Sequence, residues 1–140
     1  MEALPTLIKL NQRQLDEGRK HLADLERTRD ALHAHLQDLD AEIAIERAAA
    51  GGPDGARTFM AWLEVARGRR DTLNRSIVEL EEAIVAQQDA VAEAFQALKR
   101  VQLLDERQRA RARAAEDRRQ QAELDEMALS IFRRDRGEGG

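Results

Sequence analysis

The sequence contains no cysteine, no tyrosine and only two prolines in 140 residues. The absence of cysteine excludes disulfides and thiolate chemistry. Aromatic residues make up 3% of the chain and charged residues 36%, which leaves little material for a compact globular core. No apolar stretch approaches the roughly 18 residues that a membrane-spanning helix requires. Together these absences favour helices that pack along a narrow seam.

The net charge is -4, and 20 of the 23 basic residues are arginine. A net charge this small creates no global field that would attract nucleic acid or an anionic membrane. The first residues, MEALPTLIKL, carry an acid at position two and lack the continuous apolar segment of a secretion signal. We therefore expect a cytoplasmic protein.

Leucine, alanine, glutamate, arginine and glutamine dominate the chain, as in long helices and coiled coils. In the first third, apolar residues recur at alternating spacings of three and four, which is a heptad pattern. Pro5 suits the first turn of such a helix, where its missing N–H has no partner to lose. The core positions that we assign to this first seam are Ile8, Leu15, Leu22, Leu25, Leu32, Leu36, Leu39 and Ile43.

A cluster of helix breakers, GGPDG at Gly51–Gly55, interrupts the pattern. Gly51 can adopt the left-handed conformation that ends a helix, and Pro53 cannot continue one. Asp54 is a plausible cap for a following helix. No Lys-Ser or Lys-Thr pair follows these glycines, so we interpret the segment as a turn and not as a phosphate-binding loop.

The heptad pattern resumes after the turn and stops after Val101. In the same frame the next two positions are Asp105 and Gln108, and only alanines follow as apolar residues up to Glu123. The helix is predicted to continue because this stretch consists of strong helix formers without glycine or proline. The core positions of the second seam are Phe59, Leu63, Leu73, Ile77, Leu80, Ile84, Val91, Leu98 and Val101.

The two seams have similar lengths, which predicts an all-α fold: an antiparallel coiled-coil hairpin whose second helix is longer and overhangs the first. We expect one domain over residues 1–140. Its first helix covers about 6–50, its turn about 51–57 and its second helix about 58–134, and residues 135–140 form a flexible tail.

Two registers are possible for the hairpin. A seam position must face a seam position, so the sum of the numbers of two facing residues can take only values that are seven apart. A sum of 109 fits the short turn, pairing Leu36 with Leu73 and placing Gly18 opposite Val91. A sum of 102 would bring Leu36 to Ala66 instead.

From Asp105 to about Arg134 the second helix has no partner helix in this arrangement. Near its end an isolated apolar face invites a binding partner, although the face could instead fold onto Leu4, Leu7 and Ile8 or fray. The candidate partner-binding residues are Arg107, Arg109, Arg111, Arg113, Arg118, Arg119, Leu124, Met127 and Ile131.

The arginine-rich stretch is a poor nucleic-acid site. At 100° per residue, Arg107, Arg111 and Arg118 lie on one side of the helix, whereas Arg109 and Arg113 lie nearly opposite. The charge is therefore divided between two sides, acidic residues flank it, and no aromatic side chain is available to stack on bases. A protein partner or a merely solvated helix fits better.

Residues for catalysis or metal binding are not arranged for that chemistry. His33 and His35 are two residues apart, and His21 is more than two turns from either, whereas helical metal ligands need spacings of three or four. Phe59 and Trp62 beside the turn indicate packing at the tip in preference to a cofactor site. We expect no enzyme activity, no cofactor and no metal site.

Two quoted segments carry a resemblance to a known family: LPTLIKLNQRQLDEGRKHLADLER at the start, and ERQRARARAAEDRRQQAELDEMALSIFRR near the end. With a long second helix between them, the chain resembles the flagellar FliJ family over essentially its whole length. The resemblance lies in helical pattern and spacing and includes no position-specific motif, so no functional residue is transferred individually.

The resemblance implies a component of the flagellar type III export apparatus, built as a two-helix antiparallel coiled coil similar to the stalk subunit of rotary ATPases. It also implies association with the hexameric export ATPase, with the export gate and with export chaperones, and hence a position at the cytoplasmic face of the inner membrane through partners only. The hypothesis that follows is a monomer whose arginine-rich overhang enters the ATPase ring. The alternatives are a self-associating scaffold unrelated to export, and the stalk protein of a virulence type III secretion system.

Overall fold

The computed structural model describes residues 3–138, which form two α-helices and contain no β-strand. Helix α1 spans Ala3–Ala49 and helix α2 spans Gly52–Glu138. This confirms the predicted all-α fold of two long helices with the second one longer. None of the described helices is long and apolar enough to cross a membrane.

Helix α1 begins at Ala3, earlier than the expected residue 6, so Pro5 lies in its first turn. Proline is tolerated there because the first N–H groups of a helix have no intrahelical acceptor.

The turn is shorter than predicted, because α2 begins at Gly52 and not at about residue 58. The N–H of Ala50 donates to the carbonyl of Glu46 at 3.1 Å and closes α1. Gly52, and not Gly51, adopts the left-handed conformation, with φ of 69°. Pro53 then follows as an early helical residue that needs no acceptor, and Asp54 places a negative charge in the first turn. Most of the predicted turn, 51–57, is therefore helix.

Helix α2 also extends further than predicted, to Glu138 instead of about Arg134. The guanidinium of Arg136 lies 5.4 Å from the centre of the Phe132 ring, one turn earlier. Arginine in the last turn also interacts favourably with the helix dipole. The tail predicted for 135–140 is thus helical through residue 138, and its last two residues lie outside the described ones.

The Cα positions group into two compact units. The hairpin unit is Asn11–Gln96, and the end unit combines the chain before Asn11 with the chain after Gln96. The expectation of a single domain over 1–140 stays a prediction.

In the hairpin unit α1 and α2 run antiparallel, and their contacts agree with the register in which facing numbers sum to 109. A Cβ atom built on Gly18 would lie 3.4 Å from Cγ2 of Val91. Further along, Arg70 Nε lies 3.2 Å from Asp40 Oδ1. The alternative sum of 102 would displace these partners by seven residues, which is about 10 Å along a helix.

The core of the hairpin unit is a single seam between the helices. Leu15 is its most buried side chain, 2% exposed, and each such leucine or isoleucine contributes about 1.5–3 kcal/mol through removal of apolar surface from water. The residues assigned to the two seams are all buried or half-buried. Those of the hairpin unit in the buried class are Leu15, Leu39, Leu63, Ile77 and Ile84, with Ala66 in addition.

In the end unit, Leu4 and Leu98 are buried, and Ile8 and Val101 are half-buried. This small apolar contact holds the first turns of α1 against α2. Beyond it, α2 loses its cover.

Candidate interaction surface

The candidate surface is the arm, which we define as residues 105–138 of α2. At its base, Asp105 has only 16% of its side chain exposed, and its Oδ2 accepts a contact from Arg109 Nε at 3.1 Å. A groove here is lined by Pro5 of α1 and by Asp105, Gln108, Arg109, Arg111 and Ala112 of α2. The arm therefore starts beside the first turn of α1.

From Arg113 to Gly137 every residue is exposed except the half-buried Glu116. No part of the described chain covers this stretch of about 25 residues, or about 40 Å of helix. The exposure predicted for the overhang is what the structure shows.

The arm stays helical through its composition and through contacts between successive turns. Its residues are mainly alanine, arginine, glutamate and glutamine, which have high helix propensity. Arg119 Nη2 donates to Glu116 Oε1 at 2.6 Å, and Gln121 Nε2 donates to Asp125 Oδ1 at 3.0 Å. Each such pair contributes about 0.2–0.5 kcal/mol to the helix.

The six arginines of the arm between Arg107 and Arg119 are exposed and lie on two sides of it. Arg109 and Arg119 are engaged by carboxylates of the arm itself. The other four, Arg107, Arg111, Arg113 and Arg118, make no ion pair with any residue between 3 and 138. These four guanidinium groups are thus available to carboxylates of another molecule.

The apolar end of the arm is also exposed. Leu124, Met127 and Ile131 are 59%, 61% and 56% exposed, so they do not fold onto the first turns of α1 as the alternative required. They occupy one side of the helix, which an ideal helix shares with Arg109 and Arg113. The surface therefore combines arginines near its base with an apolar face near its end.

Several exposed apolar residues near this surface lie outside the set of candidate partner-binding residues. On an ideal helix Phe132 lies about a quarter turn from the apolar face and Leu129 on nearly the opposite side, and Leu103 and Leu104 lie just before the arm. The sequence signal for Leu103 and Leu104 was present, because large apolar residues outside the seam positions point away from the seam.

The tip of the hairpin unit carries a pair of stacked aromatic rings. The rings of Phe59 and Trp62 stack with centres 6.1 Å apart, and the guanidinium of Arg47 lies 5.8 Å from the Phe59 ring centre. No cluster of three or more histidine, aspartate or glutamate side chains suited to a metal ion occurs in residues 3–138.

Comparison with known proteins identifies one family. The family described as "Flagellar FliJ protein" matches residues 1–137, almost the entire chain. No curated protein and no solved structure gives a significant match.

Proposed function

The chain belongs to the flagellar FliJ family of non-enzymatic components of the type III export apparatus, and from that premise we propose that its arm binds the export ATPase ring. In this proposal the chain acts in the cytoplasm, also contacts the export gate, and assists the delivery of chaperones and their substrates. Its association with export-apparatus components follows from the family, whereas the assignment to the arm rests on the residues described above.

The observation that carries the proposal is the set of unpaired arginines on a helix without tertiary cover. A ring of identical subunits offers the same carboxylates several times around its opening. Arginines on two sides of one helix can therefore meet different subunits, and several weak contacts add to an appreciable affinity. The apolar side chains at the exposed end of the arm can also be buried against the ring, which adds a hydrophobic contribution to the binding energy.

The test is ATP hydrolysis by the purified export ATPase in the presence of the full chain. Replacement of Arg107, Arg111, Arg113 and Arg118 by glutamate is expected to abolish stimulation while leaving the helical circular dichroism unchanged. The matched control replaces four exposed arginines of the hairpin unit by glutamate, Arg13, Arg19, Arg57 and Arg67, and should retain stimulation. Full stimulation by the folded arm variant would refute the assignment.

A second candidate, a self-associating scaffold, is favoured by the exposed apolar face at Leu124, Met127 and Ile131. Two such faces could pair between copies. Light scattering distinguishes the candidates, because the export proposal expects a monomer and the scaffold expects a dimer that Met127→Ser and Ile131→Ser together dissociate.

A further inference from the structure

A second exposed face lies on α2 within the hairpin unit, on the side away from the seam. Val78 and Val85 are 53% and 57% exposed, and Ala92 continues their row at the same spacing. Residues seven apart lie on the same side of a helix, two turns from each other. Their neighbours Ile77 and Ile84 are buried in the seam, so the valines point outward.

Carboxylates surround this valine row. Between Arg75 and Lys99 the sequence has no basic residue, and its acidic residues are Glu79, Glu81, Glu82, Asp89 and Glu93. On an ideal helix Glu82 and Asp89 lie within about 40° of Val78, and Glu81 and Glu93 within about 60°.

Almost none of this charge is compensated within the chain. Glu81 Oε1 lies 3.8 Å from His33 Nε2, while the other four carboxylates have no ion pair with residues 3–138. Ion pairs with α1 therefore neutralise almost none of the negative charge of this face.

The face lowers the stability of the isolated helix. Valine has lower helix propensity than alanine or leucine, and at an outward position no burial offsets that difference. Carboxylates three or four residues apart, such as Glu79 with Glu82 and Asp89 with Glu93, repel each other by about 0.2–0.5 kcal/mol. Single exposed valines are ordinary on protein surfaces, but a heptad-spaced row framed by uncompensated carboxylates is suited to a partner of opposite charge.

We propose that this acidic valine face, Val78 to Glu93, binds a basic amphipathic helix of a protein partner. Aliphatic side chains spaced seven residues apart on that helix pack on Val78 and Val85, and flanking lysines or arginines pair with Glu82, Asp89 and Glu93. Charge selects this occupant. A second copy docked through the same face would oppose acid to acid, and nucleic acid or an anionic membrane would be repelled. The inference is independent of the arm and of the ATPase.

The test measures calorimetrically the binding of a synthetic helix to the full chain at low salt. The probe is a leucine, lysine and alanine peptide about three heptads long, with leucines on one side and lysines beside them. Two variants are expected to weaken its binding by about tenfold or more: Val78→Ser with Val85→Ser, and Glu82→Gln with Asp89→Asn and Glu93→Gln.

Matched controls remove the same groups elsewhere in the hairpin unit. Met60→Ser with Val65→Ser removes similarly exposed apolar side chains, and Glu17→Gln with Asp38→Asn and Glu42→Gln removes the same charge from α1. Both controls should bind as the unmodified chain does. Equal weakening in the controls, or no binding by the unmodified chain, would overturn the proposal. So would light scattering showing a dimer that the two valine substitutions dissociate, since the occupant would then be a second copy.

Discussion

The side-chain amide of Gln87 donates a hydrogen bond to the main-chain carbonyl of Gly18 at 3.1 Å, across the two helices of the hairpin unit. Both residues occupy seam positions that lack an apolar side chain. The absence of a Cβ at Gly18 allows Val91 and Gln87 to approach α1, and the amide finds an acceptor in the backbone. The glycine that interrupts the apolar seam of α1 thus accepts a hydrogen bond from the glutamine that interrupts the seam of α2.

Gly18→Ala is expected to stabilise the protein by about 0.5–1 kcal/mol. Glycine in a helix interior costs about this much relative to alanine, and the new methyl group would meet Val91 Cγ2 at 3.4 Å, at the edge of ordinary contact. Thermal unfolding followed by circular dichroism measures the change. Gly68→Ala is the control, because nothing lies within 4 Å of its added Cβ and only helix propensity changes.

Gly18→Leu should instead lower stability by about 1–3 kcal/mol through overpacking. A leucine variant more stable than the unmodified chain would contradict the close approach of Val91 to Gly18.

Gly52→Ala is expected to destabilise the hairpin by about 1–2 kcal/mol. Its φ of 69° lies in the left-handed region, where a Cβ clashes with the adjacent carbonyl. Gly51→Ala is the matched control, since its backbone is not left-handed and nothing lies within 4 Å of an added Cβ. Chemical denaturation of the two variants gives the difference. Equal stabilities of the two variants would show that Gly52 does not adopt the left-handed conformation.

Leu15→Ala is expected to cost about 2–5 kcal/mol, because the side chain is 2% exposed and its removal leaves a cavity in the seam. Leu129→Ala, at a 54% exposed position of the arm, should change stability little. Urea titration of both variants makes the comparison. A small effect at Leu15 would mean that the seam there repacks freely.

Asp105→Leu is expected to stabilise the protein by about 1 kcal/mol. Its carboxylate occupies a seam position that is mostly shielded, where leucine would bury apolar surface, and its partner Arg109 is 67% exposed and would stay solvated without it. Asp117→Leu, on the exposed part of the arm, should give no comparable gain. Melting temperatures test this, and destabilisation of the Asp105 variant would show that its contact with Arg109 contributes more than apolar burial would.

Amide hydrogen exchange is expected to be fast in residues 113–137 and slow in the hairpin unit. Helices are stabilised mainly by tertiary packing, and this part of the arm has none. Mass spectrometry of peptic fragments resolves the two regions. Strong protection of the arm in the isolated chain would indicate self-association, which dilution of the sample would then relieve.

Much of the fold was predictable because heptad spacing is a local property. Leu15, Ile77 and Ile84 could be assigned to a seam from the positions of their apolar neighbours alone, and the end of the second seam at Val101 indicated where cover would cease. The unpaired arginines of the arm could be located for the same reason. The acidic valine face is also visible in the sequence at Val78 and Val85, but heptad assignment identifies only the positions that face the partner helix and not the outward ones.

The two helices, the glycine cluster that separates them and the seam residues of each helix follow from the local sequence, because propensity and periodicity act over a few residues. The packing of the two helices was needed to establish which glycine takes the left-handed conformation, how early α2 begins, and which heptads face each other. A heptad pattern is unchanged by a seven-residue slip. The sequence pattern therefore fits equally well the registers in which facing residue numbers sum to 109 and to 102. Only the register with a sum of 109 brings Val91 against Gly18 and Arg70 within reach of Asp40. Both contacts join the two helices, so they are not visible in the sequence of either helix.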